Sequence, residues 1–249
     1  MITLEGIVLK ERLVGEQDKF VDVLTREKGI VEIAVKGAKR LSGRSGSSTQ
    51  LFAYSRFCIN LRREQFYLDS CEPIRIFYGL REELSRISLA SYFADVLKYA
   101  INEDEDCGEV LRLMLNSLHF LEKGLRPEAM LKSIFELRLM SEIGFMPDIM
   151  GCQACGEPEP EELFFCLSDG GYFCTGCFGG DASNNYYKVR MPVLQAIRYI
   201  VLADWDRLFS FRVTDSVQKR LSAVSEAYLK THLERGFKTL DFYKSVSGT

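Results

Sequence analysis

Residues 55–63 read SRFCINLRR. Phe57, Ile59 and Leu61 alternate with Arg56, Cys58, Asn60 and Arg62, and only an extended chain sends successive side chains to opposite faces. The segment is a half-buried strand, its apolar trio turned inward and its cations outward. The same period holds around it. In GIVEIAV (29–35), Val31, Ile33 and Val35 share one face, while Glu32 and Lys36 take the other. ITLEGIVLK (2–10), KFVDVLT (19–25) and QFYLDSC (65–71) are further strand candidates, with turn signals at Lys28-Gly29 and Arg63-Glu64-Gln65. About five short strands with no helix between them predict a small closed antiparallel barrel, because closure removes exposed edges. Pro73 marks its end, and the domain is drawn as residues 1–79.

Beyond residue 79 the period changes. Leu80, Leu84, Ile87, Ala94, Leu97 and Ile101 recur at three- and four-residue steps, which predicts an amphipathic helix. NEDED (102–106) follows as a surface connection, and Asp106 with Glu109 reads as a capping pair opening a second helix. Pro127 and Gly144 bracket a third. Pro192 opens a fourth that ends near Trp205, and Asp215 to Gly236 frames a fifth, with Val217, Leu221, Val224 and Tyr228 inward. The chain is thus α+β and multi-domain: a β domain precedes an all-α domain, residues 80–249, which an insert at 150–185 interrupts.

That insert carries Cys152-x2-Cys155 and Cys174-x2-Cys177, with 18 residues between the pairs. A two-residue spacer lets two thiolates reach one tetrahedral metal at about 2.3 Å each. FFCLSDGGYFC (164–174) reads as a hairpin turning at Asp169-Gly170, which returns the second pair to the first. The module has too little core to fold alone, so one structural Zn2+ would replace a core. Four sulfur ligands leave no open position for a catalytic water. Redox, iron–sulfur and disulfide readings fit the spacing and the context less well. Cys166 belongs to the hairpin core.

Recognisable catalytic chemistry is missing. The two histidines, His119 and His232, lie in helical patterns without a nucleophile partner, and no phosphate-binding loop, Gly-x-Ser-x-Gly elbow or His-Glu-x-x-His pair occurs. MITLEGIVLKER has no room for an apolar export segment, and no uncharged apolar run is long enough to span a membrane. The expectation is a cytoplasmic binding protein, not an enzyme and not membrane-bound.

The chain holds 32 Lys+Arg against 35 Asp+Glu, yet residues 35–63 contain no acid at all. Lys36, Lys39, Arg40, Arg44, Arg56, Arg62 and Arg63 stand there uncancelled in sequence, around a Gly/Ser-rich centre, LSGRSGSST (41–49). With Tyr54 as a stackable ring, these residues are the candidate nucleic-acid contacts. A five-stranded barrel with such a face binds single strands through phosphate contacts and base stacking. A plain solvated face is the competing reading of such a charge run. For the whole chain, the alternatives are an RNA-binding barrel protein with a zinc ribbon and a thiol oxidoreductase using Cys152/Cys155.

GEQDKFVDVLTREKG (15–29), VKGAKR (35–40) and FELRLMSEIGFMPDIMGCQACG (135–156), in that order, closely resemble the bacterial RecO recombination-mediator proteins. The likeness runs from residue 2 to about 240. LDFYKSV (240–246) is a weak version of the family's ending and carries no role here. The resemblance implies an OB-fold, then a helical domain with a zinc-finger-like insert. It implies binding of single- and double-stranded DNA, annealing of complementary strands, and no turnover. It also implies action with RecR in loading RecA onto strands coated by single-strand-binding protein (SSB), in the RecF pathway of repair and near the nucleoid. The family binds the acidic C-terminal tail of SSB through its helical domain, and Arg126, Lys132 and Arg138 are the candidates for that tail.

Overall fold

The computed structural model describes residues 1–38, 44–180 and 185–248, without the side chains of Arg44 and Ser45. In chain order its elements are β1 (Ile2–Val14), β2 (Asp18–Thr25), β3 (Ile30–Val35), α1 (Arg44–Ser48), β4 (Ala53–Arg62) and β5 (Gln65–Ile76). They continue with α2 (Leu84–Ala100), α3 (Gly108–Glu122), α4 (Glu128–Glu142), β6 (Glu162–Cys166), β7 (Tyr172–Cys174), β8 (Tyr186–Arg190), α5 (Met191–Leu202), α6 (Asp215–Leu233) and α7 (Lys238–Ser247). They pack as two compact units, Met1–Lys123 with Phe237–Thr249, and Gly124–Gly236. By packing, α2, α3 and α7 belong to the barrel's unit, whose first stretch ends at Lys123.

The first unit is built on a closed barrel of order β1-β2-β3-β5-β4, the strand order of an OB-fold. Val8, Val21, Val23, Val31, Ile33, Phe57 and Ile59 fill its interior, as the alternation requires. Two readings are corrected. The barrel is not wholly antiparallel: β3 and β5 run parallel, pairing Ile33 with Phe66 and Ala34 with Tyr67. Five strands alternating in direction cannot close a ring without one parallel pair. Nor does Pro73 end the sheet, for β5 continues to Ile76. Pro73 sits opposite Ser55 beside a register shift, where a missing N–H is tolerated.

Leu61 is 57% exposed, contrary to the expected inward position, because it lies at the last turn of the β4–β5 hairpin. That hairpin closes on Arg63 and Glu64, both with positive φ (48° and 65°), the backbone of a two-residue primed turn.

NEDED is also more than a surface connection. The Asp104 N–H donates to the Lys28 carbonyl (3.1 Å), the Cys107 N–H to that of Arg26 (2.7 Å), and Lys28 Nζ pairs with Asp104 at 3.0 Å. Gly29 makes the closest approach. Its φ is +56°, and a Cβ there would stand 1.9 Å from the Asn102 carbonyl oxygen. α2 buries Leu89, Tyr92, Phe93 and Val96, while Leu84 is 58% exposed. It is covered from several sides, by β1, α3 and α7, so no single stripe marks its buried face in the sequence. α7 docks on α2 through Thr239 Oγ1 to Asp95 (2.9 Å) and the Phe237 ring against Tyr92.

In the second unit α4 packs on α6 and α5, and β7-β6-β8 form a small sheet. Pro192 lies in the first turn of α5, as expected, but that helix stops at Leu202, short of Trp205. Among the described residues no helix is long and apolar enough to cross a membrane.

Candidate nucleic-acid interface and metal centre

Register fixes which candidate cations the barrel brings together. Arg62 pairs with Gln65 at the start of β5, and Asn60 pairs with Tyr67. Since β3 runs parallel to β5, Lys36 stands beyond the Ala34–Tyr67 pair, on the side away from Arg62. The two cations therefore flank Tyr67, with Lys36 Nζ 5.2 Å from the centre of its ring. Arg62 and Arg63 are exposed, and among the described residues their side chains make no hydrogen bond or ion pair. Lys39, Arg40 and the side chain of Arg44 lie outside the described residues.

Tyr54 and Arg56 belong to a different place. They sit six to eight residues back along β4, roughly 20 Å or more from Arg62 at about 3.3 Å per residue. There Glu5 stands directly opposite Arg56 across the β1–β4 pair. Its carboxylate accepts Arg56 Nη2 at 2.8 Å, Arg56 Nε at 3.2 Å and the Tyr54 hydroxyl at 3.1 Å. The hydrogen bonds from Arg56 and then Tyr54 hold the Glu5 carboxyl below its usual range. Burial, then the bond to Glu5, pushes the Tyr54 hydroxyl up. The three line a groove of about 710 Å3 with Arg26, Arg112 and Glu109.

The acid-free run of sequence is consequently not an acid-free surface. β4 lies between β1 and β5, which contribute Glu5 and Asp69, and Glu64 shares the turn with Arg63. Linear patterning cannot register carboxylates that arrive from neighbouring strands.

Arg126, Lys132 and Arg138, the candidates for a peptide tail, are all engaged in contacts within the second unit. Lys132 is 2% exposed, its Nζ lying 3.0 Å from Glu136 and 3.1 Å from Glu226, so it ties α4 to α6. Arg138 bonds to Glu142 and to the carbonyls of Val201 and Ala203, with its guanidinium over Trp205. Arg126 Nε donates to the Phe209 carbonyl at 2.6 Å. Lys132 and Arg138 on α4, and Arg126 just before it, are engaged by helix–helix and helix–loop packing that their spacing in sequence could not reveal.

Cys152, Cys155, Cys174 and Cys177 converge, with all four Sγ atoms within 4.8 Å of one another. The β6–β7 hairpin, pairing Leu163 with Cys174, returns the second pair to the first. Gly170 turns it at φ +73°, where a Cβ would stand 2.7 Å from the Tyr228 hydroxyl. Sγ of Cys155 and Cys174 are 3.8 Å apart, which matches two ligands about 2.3 Å from a common tetrahedral centre. Burial raises the Cys152 thiol, but N–H donors from Cys174, Cys155 and Ala154 outweigh it and bring it down to about 6. The neighbouring thiols of Cys155 and Cys174 push Cys177 up to about 12. Such crowding opposes ionisation of all four unless a cation joins them, so the donor set fits a metal ion.

Two family models cover the chain, recombination protein O N terminal over residues 1–77 and recombination protein O C terminal over 81–241. The chain belongs to the recombination protein O (RecO) family. It is 33% identical over 241 residues to the DNA repair protein RecO of Acetivibrio thermocellus, covering 97% of this chain and 95% of the relative. The RecO of Pelotomaculum thermopropionicum is 31% identical over 238 residues, with 96% and 91% covered. That of Alkaliphilus metalliredigens is 28% identical over 248 residues, with 99% and 100% covered.

Phe20, Tyr67 and Arg12 also stand on the outer face of this RecO-family barrel and are not among the residues that the sequence pattern singles out. Their signal was available: Phe20 and Tyr67 are aromatic at outward positions of KFVDVLT and QFYLDSC. What it lacked was the strand order that sets them on one face.

Proposed function

We propose that this chain is a recombination mediator without enzymatic turnover. In this reading it binds single- and double-stranded DNA, anneals complementary strands, and with RecR helps to load RecA onto SSB-coated single strands in the cytoplasm. The observation that carries the reading is the exposed set Lys36, Arg62 and Arg63 around the half-buried Tyr67 ring on an OB-type barrel. Unpaired cations exchange condensed counterions for phosphates and so gain the entropy of ion release. Lys39, Arg40 and Arg44, next in sequence to Lys36, would extend that set. Arg56 contributes less, because Glu5 already occupies it. A strand held mainly by its phosphates keeps its base edges free for a complement, which is the physical requirement of annealing.

The metal is Zn2+ in this reading. Cys152, Cys155, Cys174 and Cys177 would hold it, and it supplies structural cross-linking of the β6–β7 hairpin. The chain's own thiolates fill the tetrahedral set, so they orient no water.

An acidic, aromatic SSB tail needs cations over an apolar floor. A groove of about 620 Å3 in the second unit offers Val189, Pro192 and Val217 beneath Lys188, Arg190 and Arg220. Lys188 and Arg190 are paired with Glu162 and Glu161, whereas Arg220 lies over the Tyr187 ring and binds the Lys188 carbonyl. Arg220 is the cation there without a carboxylate partner among the described residues. Titration with a tail peptide tests the groove: Arg220→Glu should weaken binding about tenfold, and unchanged affinity would remove the groove.

For the function as a whole, the assay is annealing of complementary oligonucleotides coated with SSB. Wild-type protein should accelerate it and a Lys36→Glu/Arg62→Glu/Arg63→Glu variant should not. Equal rates with both would overturn the reading.

A further inference from the structure

One row of outward side chains crosses four barrel strands and ends on a fifth. Arg12 on β1 pairs with Phe20 on β2, Phe20 with Ala34 on β3, Ala34 with Tyr67 on β5, and Tyr67 with Asn60 on β4. Their flanking residues Val21, Ile33, Val35 and Ile59 fill the core, so parity puts this row on the outer face. Phe20 and Tyr67 are both half-buried. Ala34, 6% exposed, is the residue that pairs with both and separates them in the row. Each ring has its own cation: Arg12 lies 5.6 Å from the Phe20 centroid, and Lys36 lies 5.2 Å from that of Tyr67.

The spacing of the rings selects among ligands. Two steps between neighbouring strands put their backbones about 9–10 Å apart. Stacked bases in a duplex follow at about 3.4 Å along each strand. Two bases lying on Phe20 and Tyr67 must therefore be spread from each other, which a single strand allows and an intact duplex does not. Aromatic rings take the face of any base, so the row is indifferent to sequence. Arg12 also pairs with Glu32, which leaves Lys36 as the less compensated of the two cations.

We propose that Phe20 and Tyr67, separated by Ala34, form a stacking platform for two unstacked bases of single-stranded DNA, with Arg12 and Lys36 supporting the adjoining phosphates. The proposal rests on the DNA-binding reading above and adds to it a base-contacting subsite that discriminates single strands from duplex. Because only two bases are engaged, the remainder of a bound strand stays available for pairing.

The test compares an oligo(dT) strand with an abasic strand of equal length, which offers the same phosphates but no bases. Phe20→Leu and Tyr67→Leu should each weaken oligo(dT) binding by about 5- to 150-fold. Binding of the abasic strand and of duplex should not change, nor should the slope against salt concentration. Phe20→Trp and Tyr67→Trp retain a ring, so they guard against loss of folding. Their added fluorescence, above that of the single native Trp205, should be quenched by oligo(dT) and not by the abasic strand. Equal losses on both strands, no loss on either, or unquenched tryptophans would overturn the platform while leaving phosphate binding intact. A wild-type protein that binds neither strand would instead overturn the DNA-binding reading itself.

Discussion

Glu5 and Arg56 face each other across the β1–β4 pair, and a single carboxylate oxygen accepts both Nη2 and Nε of the guanidinium. The pair converts a cation that looks free in the sequence into one that is half-neutralised. Glu5→Gln should therefore release Arg56 and raise oligonucleotide affinity about two- to tenfold at low salt. The difference should vanish near 1 M salt, where the screening length falls to about 3 Å. Because the pair is exposed, folding stability should change little. An affinity that does not move would exclude Arg56 from phosphate contact.

Metal removal should act on the second unit alone. The cysteines lie within Gly124–Gly236, whereas Lys36, Arg62 and Arg63 lie within Met1–Lys123. A chelator, or Cys155→Ser with Cys177→Ser, should lower the unfolding temperature of the chain and increase proteolysis near residues 150–180. Oligo(dT) affinity should stay within about twofold. A large loss of affinity on chelation would mean that the metal module itself contacts DNA.

The Lys132 network should behave as a buried ion pair. Lys132→Ala leaves Glu136, which is fully buried, without its cation, at a cost of about 3–5 kcal/mol. Replacing both residues with apolar ones, Lys132→Met with Glu136→Leu, should restore most of that stability, because Glu226 keeps its 2.8 Å pair with Lys230. Urea unfolding midpoints measure both. A double variant no better than the single one would show that the network does more than neutralise itself.

The two histidines give the chain an acid limb. Burial depresses His232, which lies against Phe145 and Tyr228, and outweighs the Leu167 backbone and the charge of Asp169. Burial, then the Arg75 guanidinium, depresses His119. Both fold with pKa values below about 6.5, so between the folded and unfolded values the unfolded chain binds more protons. Their contribution is complete above about pH 6.5 and is lost as pH falls through the folded values. Thermal unfolding from pH 7 to pH 5 should show this slope, and His232→Phe should flatten it. An unchanged slope would assign it to carboxylates.

The legible parts of this molecule were those that a local pattern determines. Alternation in SRFCINLRR and GIVEIAV placed Phe57, Ile59, Val31 and Ile33 inside. The paired Cys-x-x-Cys spacing, with Asp169-Gly170 between, assembled the thiol cluster. What stayed hidden depends on partners distant in sequence. Lys132 looks like a surface cation until Glu226 is brought beside it by α6. Arg56 looks free until β1 delivers Glu5. The parallel β3–β5 pair, the return of α7 to α2 and the alignment of Phe20 with Tyr67 all follow from closure of the sheet and packing of helices.

If cations on the barrel face grip a DNA strand by its phosphates, removing them must weaken both the binding and its response to salt. Equilibrium binding of oligo(dT) measured across salt concentrations tests it most directly, for wild type and for Lys36→Glu/Arg62→Glu/Arg63→Glu. The logarithmic slope should shrink by about 0.7 for each phosphate that the variant no longer neutralises, with weaker binding throughout. A slope and an affinity identical to those of the wild type would contradict the account.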